Sequence, residues 1–201
     1  MRMFTARLLT AGLLTAVGAG LLAACASTPT QYLTLVPPAA RAAPGSGAAV
    51  GPALLSVSIP SQVDEPQLAV RHSDGSMALL ESERWIAPLG DEIRTALSLS
   101  LARQWPPDSA DLRVTVDVQR FDSVPGQYAL IDAVWTVAVV GPGSQKISCR
   151  SSIRIPVSEG YPALAQGHQA ALEQLAAQIA KQAASLHSGG GGGGACTAAS
   201  P

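Results

Sequence analysis

Apolar and polar residues alternate most regularly at Leu112, Val114, Val116 and Val118 against Arg113, Thr115, Asp117 and Gln119. That period of two predicts a strand with one buried face and one wet face. Tyr128 to Val140 follows, with Ala129, Ile131, Ala133, Trp135, Val137 and Val139 on one side. Ile147, Cys149, Ser151, Ile153 and Ile155 then alternate against Lys146, Ser148, Arg150, Ser152 and Arg154. Pro125-Gly126 and Gly141-Pro142-Gly143 supply the turns, so these segments predict an antiparallel meander with Cys149 pointing inward. Upstream, Tyr32 to Leu35 reads as a brief strand, Leu54 to Ile59 as a strand stopped by Pro60, and Leu68 to Arg71 with Met77 to Leu80 as a hairpin around Ser73-Asp74-Gly75.

The period changes at two places. Ile86, Leu89, Ile93, Leu97 and Leu101 recur at helical spacing, with Pro88 in the first turn and Pro106-Pro107 beyond Gln104. A second helix, Ala163 to Leu186, places Leu172, Leu175, Ile179, Ala183 and Leu186 on one stripe. The expected fold is α+β: a mainly antiparallel β-sheet with two α-helices packed on one face. Val36 to Ala53, rich in Pro, Ala and Gly, predicts an extended surface loop, and residues 188–201, with six glycines from Gly189 to Gly194, predict a disordered tail.

The first 24 residues have a different character. Arg2 and Arg7 precede an apolar or small run of 15 residues, Leu8 to Leu22, too short to span a bilayer comfortably and laid out as a secretory signal. Leu22-Ala23-Ala24-Cys25 resembles the bacterial lipobox, which implies cleavage between Ala24 and Cys25 and lipid attachment at the Cys25 thiol. Several acyl chains make such attachment durable where a single one holds only marginally. Residues 25–30 then form a lipidated tether and 31–187 a single domain. Ala26 resembles an outer-membrane address, because the enterobacterial rule retains lipoproteins with aspartate at that position in the inner membrane.

Removing residues 1–24 leaves 11 basic and 14 acidic residues, a formal charge of 11 − 14 = −3, and so no basic field for nucleic acid. Cys149 and Cys196 share an oxidising compartment, yet one is predicted inside the sheet and the other in the tail, so a buried free thiol at 149 is expected over a disulfide. His72, His168 and His187 fall in a turn, a helix start and a helix end, positions of solvated histidines. Neither a nucleophile elbow nor a zinc pattern is present, and no cofactor or metal is called for. Asp91-Glu92 suits the positive end of a helix dipole, and Asp132 is expected on the solvent face of its strand.

The order of segments resembles the PqiC-like ABC-type transport auxiliary lipoproteins. Tyr32 and Leu35 carry the match, with Val57 to Arg71 including Pro60, Asp64, Pro66, Gln67 and Arg71, then Arg84-Trp85 and Pro88-Leu89. Val116-Asp117, Phe121, Pro125-Gly126 and Ala133-Val134-Trp135 continue it. Asp64-Glu65-Pro66 stands where the family often has Asp-Arg-Pro, and Gln31-Tyr32 where two tyrosines are common. The resemblance implies a non-enzymatic accessory of an intermembrane lipid-transport system, partnering an MCE-domain periplasmic protein and an ABC or related inner-membrane component. A homo-oligomer is compatible with such a role. Asp64, Glu65, Arg71 and Arg84 are the candidate interface residues, arginine because its donors form a fixed fork. Trp85, Tyr32 and Phe121 are each expected to serve packing. Two other readings are an assembly lipoprotein serving a β-barrel or secretin, and a small hydrolase using converging carboxylates.

Overall fold

The computed structural model describes residues 29–38, 51–106, 109, 111–141, 145–188 and 196. The signal segment, Ala24 and Cys25 lie outside these, as do most of the Pro/Ala/Gly-rich loop and the tail apart from Ser188 and Cys196. Contacts divide the chain into Met1–Thr30 and Gln31–Pro201, and the fold below is that of the second unit.

Its elements are β1 (Gln31–Leu33), β2 (Leu54–Ser58), β3 (Gln67–Arg71), β4 (Met77–Trp85), α1 (Leu89–Gln104), β5 (Leu112–Val124), β6 (Tyr128–Val139), β7 (Lys146–Pro156) and α2 (Tyr161–His187). The α+β class follows directly. The predicted meander forms β5-β6-β7, and β2 joins its outer side parallel to β5, giving the order β2-β5-β6-β7. The hairpin belongs to a separate sheet, β1-β4-β3, in which β1 runs parallel to β4. Both helices pack on the four-stranded sheet, α1 against β2 and α2 mainly against β6 and β7, and they pack on each other.

Two strands outrun their sequence pattern because each contains an irregularity. In β5 the register slips between Val118 and Arg120, so Gln119 is extra, and the inward set changes from Val114, Val116 and Val118 to Phe121 and Ser123. In β4 the register with β3 shifts between the Gln67–Arg84 and Leu68–Leu80 pairs, so the strand continues beyond Leu80 to Trp85. The two sheets share one apolar core. Trp85 of β4 meets Phe121 of β5 edge-to-face at 6.2 Å, and Phe121 stacks on His168 of α2 at 3.7 Å.

Three expectations are corrected here. His168 is fully buried, because it continues the α2 stripe one turn before Leu172. Asp132 is also buried, since the β3-β4 hairpin brings Arg71 over the outer face of β5 and β6, where Arg120 joins Asp122 and Asp132. Cys149 is not a free thiol: it is bonded to Cys196, which therefore returns to the sheet instead of trailing away from it.

Candidate interaction site

Among the described residues, the two most exposed large apolar side chains lie where β1 meets the end of β4. Tyr32 pairs with Arg84 and Leu33 with Trp85, and the Ile86 amide donates to the Leu33 carbonyl at 2.9 Å. The Trp85 amide donates to the Pro66 carbonyl, also at 2.9 Å, which ties the acidic loop Asp64-Glu65-Pro66 to the same strand end. Leu33 and Trp85 turn into the core, so their neighbours Tyr32 and Ile86 turn out, 62% and 59% exposed.

The result is an open groove of about 470 Å³ lined by Tyr32, Asp64, Glu65, Arg84, Ile86 and Pro88. Asp64 and Glu65 are exposed, and among the described residues neither has an ion-pair partner. Arg84 lies 4.0 Å from the exposed Glu81, a contact that leaves most of its donors open. The site thus offers two apolar side chains on a hydrogen-bonded backbone, with two carboxylates and a guanidinium around them. Such a mixed surface suits docking of a polypeptide.

Three of the four interface candidates, Asp64, Glu65 and Arg84, therefore meet in one groove. Arg71 stands apart. Its Nε donates to Asp122 Oδ1 at 3.1 Å, one terminal nitrogen lies 3.1 Å from the same oxygen in an ion pair, and the other donates to the Gly75 carbonyl at 3.4 Å. Arg120 donates to Asp122 as well and lies 3.4 Å from Asp132. Burial lowers the Arg120 pKa, but the hydrogen bond and charge of Asp122, with the charge of Asp132, outweigh it and raise the value on balance. Asp122 and Asp132 are thus held by Arg120 within the main sheet, and Asp122 also by Arg71, which joins the hairpin to that sheet.

Tyr32 does not serve packing as expected, whereas Trp85 and Phe121 do. Sequence reasoning also missed Glu92. Asp91 is half-buried and pairs with Arg94 at 2.7 Å, as a first-turn acid can, but Glu92 is buried and accepts from the Leu35 amide and the Thr34 hydroxyl, both at 2.7 Å. Gln169 of α2 donates to the Thr34 carbonyl at 2.9 Å. The chain leaving β1 is therefore gripped by both helices beside the groove. Only the apolar stripe of α1, which places Glu92 next to Ile93 at its inner border, hinted at this burial.

Among solved structures, one uncharacterized protein superposes with a TM-score of 0.62 at 18% identity, covering 77% of this chain and 99% of the other. A Xanthomonas campestris protein of the DUF330 family gives 0.52 at 15% identity, covering 82% and 92%. These likenesses establish a shared α+β fold. No curated protein gives a significant match. The family model for the ABC-type transport auxiliary lipoprotein component matches residues 32–180, and the chain belongs to that family.

Proposed function

We propose that this transport auxiliary lipoprotein is a non-enzymatic docking component of an MCE/ABC-type intermembrane lipid-transport system. Lipid on Cys25 holds it at the outer membrane with its domain in the periplasm, and the Tyr32–Ile86 groove receives the MCE-domain partner. The observation that carries this reading is the convergence of Asp64, Glu65 and Arg84 around exposed Tyr32 and Ile86. Aromatic and aliphatic anchors on a fixed backbone, ringed by charges, are what recognition energy is usually built from. Six positions separate Cys25 from Gln31, a contour of about 20 Å, so the anchor would keep the groove near the bilayer. No helix among the described residues is long and apolar enough to cross a membrane.

The test is affinity capture of the full-length protein from crosslinked membranes. Wild type should recover the MCE-domain protein, and Tyr32→Ala with Ile86→Ala should lower recovery about tenfold. Cys25→Ser should abolish incorporation of labelled palmitate and release the chain from the membrane fraction. Recovery of only a β-barrel or secretin by the wild type would replace this reading with an assembly role. Capture of the MCE protein unaffected by the groove substitutions would remove the groove from it.

A further inference from the structure

Cys149 and Cys196 are bonded across a separation of 47 positions. β7, which carries Cys149, is an edge of the four-stranded sheet. Natural sheets cover or blunt such edges, because unpaired backbone groups invite another chain. Cys149 is buried on the inner face, and Cys196 is half-buried, packed against the core beside Gln178, Lys181 and Gln182 of α2. Cys196 Sγ also lies 3.4 Å from the Ser148 carbonyl oxygen. A disulfide sulfur carries no hydrogen to donate, so this is van der Waals cover over the β7 backbone. Residue 196 consequently spans the junction between β7 and the second half of α2. Seven residues, six of them glycine, separate Ser188 from Cys196, a composition with almost no side chain to obstruct a return.

We propose that the Cys149–Cys196 bond is a clasp that holds residue 196 against the junction of β7 and α2, and that it is set by exchange with an external disulfide oxidant. One cysteine thiolate attacks the oxidant's disulfide and expels one of its sulfurs as a thiol. The second cysteine thiolate then attacks the mixed disulfide and expels the other. The chain gives up two protons and two electrons, which leave as the oxidant's two thiols. Once closed, the clasp presents Cys196 to a reductant while Cys149 stays shielded. Attack at Cys196 must expel Cys149 as a thiolate among apolar neighbours, where burial disfavours the charged form, so native-state reduction is slow.

Peptide mapping of the full-length protein, purified from membranes in detergent without reductant, should give a linked Cys149–Cys196 fragment. Cys196→Ser should lower Tm by roughly 5–10 °C and speed hydrogen exchange at Ile147 to Arg150. Reduction of the wild type by dithiothreitol should run at least about tenfold slower in the native state than in urea. If the variant fails to accumulate, wild type reduced in urea and refolded with its thiols alkylated gives the same two readouts. Two free thiols in the exported protein, or a bond joining two chains, overturns the proposal. So does a cysteine-deficient protein whose Tm and β7 exchange match the wild type.

Discussion

His168 sits on the inner stripe of α2 with its ring stacked 3.7 Å from Phe121 and its Nε2 2.9 Å from the Ser123 hydroxyl. Its Nδ1 is buried without a partner, and both neighbours are uncharged, so nothing would compensate an imidazolium there. Burial depresses the pKa from 6.5 to about 3. The folded value is below the unfolded one, so the unfolded chain takes up the proton more readily. The neutral ring's contribution is complete above pH 6.5 and is lost as pH falls from there toward 3, at up to about 1.4 kcal/mol per pH unit. Urea midpoints measured at pH 7 and pH 4.5 should therefore differ markedly. The paired substitution His168→Phe with Ser123→Ala, which removes both hydrogen-bonding partners, should shrink that difference by about 2 kcal/mol. An equal acid sensitivity in the double variant would show that carboxylates alone carry it. The burial was available from the sequence, since Leu172 lies four positions after His168 on the same helix face.

At the scale of elements, Gly167 lets α2 lie directly against the sheet. A Cβ there would stand 2.5 Å from Val157 Cγ1 and 2.9 Å from Ala129 Cβ, both on the surface beneath the helix. Gly167→Ala gains up to about 1 kcal/mol of helix propensity but forces the helix off the sheet, an overpacking cost of about 1–3 kcal/mol. The net expectation is destabilisation of about 1 kcal/mol in urea unfolding; a more stable alanine variant would mean that α2 can shift without loss. The same elements show where local pattern suffices. Regular alternation disclosed β6, β7 and the first half of β5, and helical spacing disclosed both helices to within a few residues. The reading of β5 stopped at Gln119 because the extra residue there inverts the alternation, and the reading of β4 stopped at Leu80 because Glu81-Ser82-Glu83-Arg84 offers no apolar position to continue it. The parallel pairings of β1 with β4 and β2 with β5 join segments more than 50 positions apart, and no local periodicity encodes them. The groove was legible in part. Asp64, Glu65 and Arg84 were candidates, but the outward turn of Tyr32 depends on Leu33 facing the core beside Trp85, which is a property of the pairing.

At the scale of the whole molecule, the proposed docking role requires that the chain between the lipid anchor and the domain be fixed to the folded body. Three side-chain hydrogen bonds do this just after β1. Glu92 accepts from the Leu35 amide and the Thr34 hydroxyl, and Gln169 holds the Thr34 carbonyl. Leu35 is fully buried, so its amide has no access to water if Glu92 is lost. Glu92→Leu keeps the volume, leaves that donor unpaired and takes away the acceptor of the Thr34 hydroxyl, whose oxygen still accepts from the Val36 amide; the loss should cost about 2–3 kcal/mol of global stability. The more telling effect is local. Hydrogen exchange at Leu33 and Leu35 should quicken by more than the global loss explains, while the amides of β5 and β6 follow the global change. The Ile86 amide bonds to the Leu33 carbonyl, so loosening β1 should also loosen the groove and weaken capture of the proposed partner without any substitution inside it. Uniform quickening of exchange throughout the domain would show instead that Glu92 serves overall stability and that the β1 junction has no separate mechanical role.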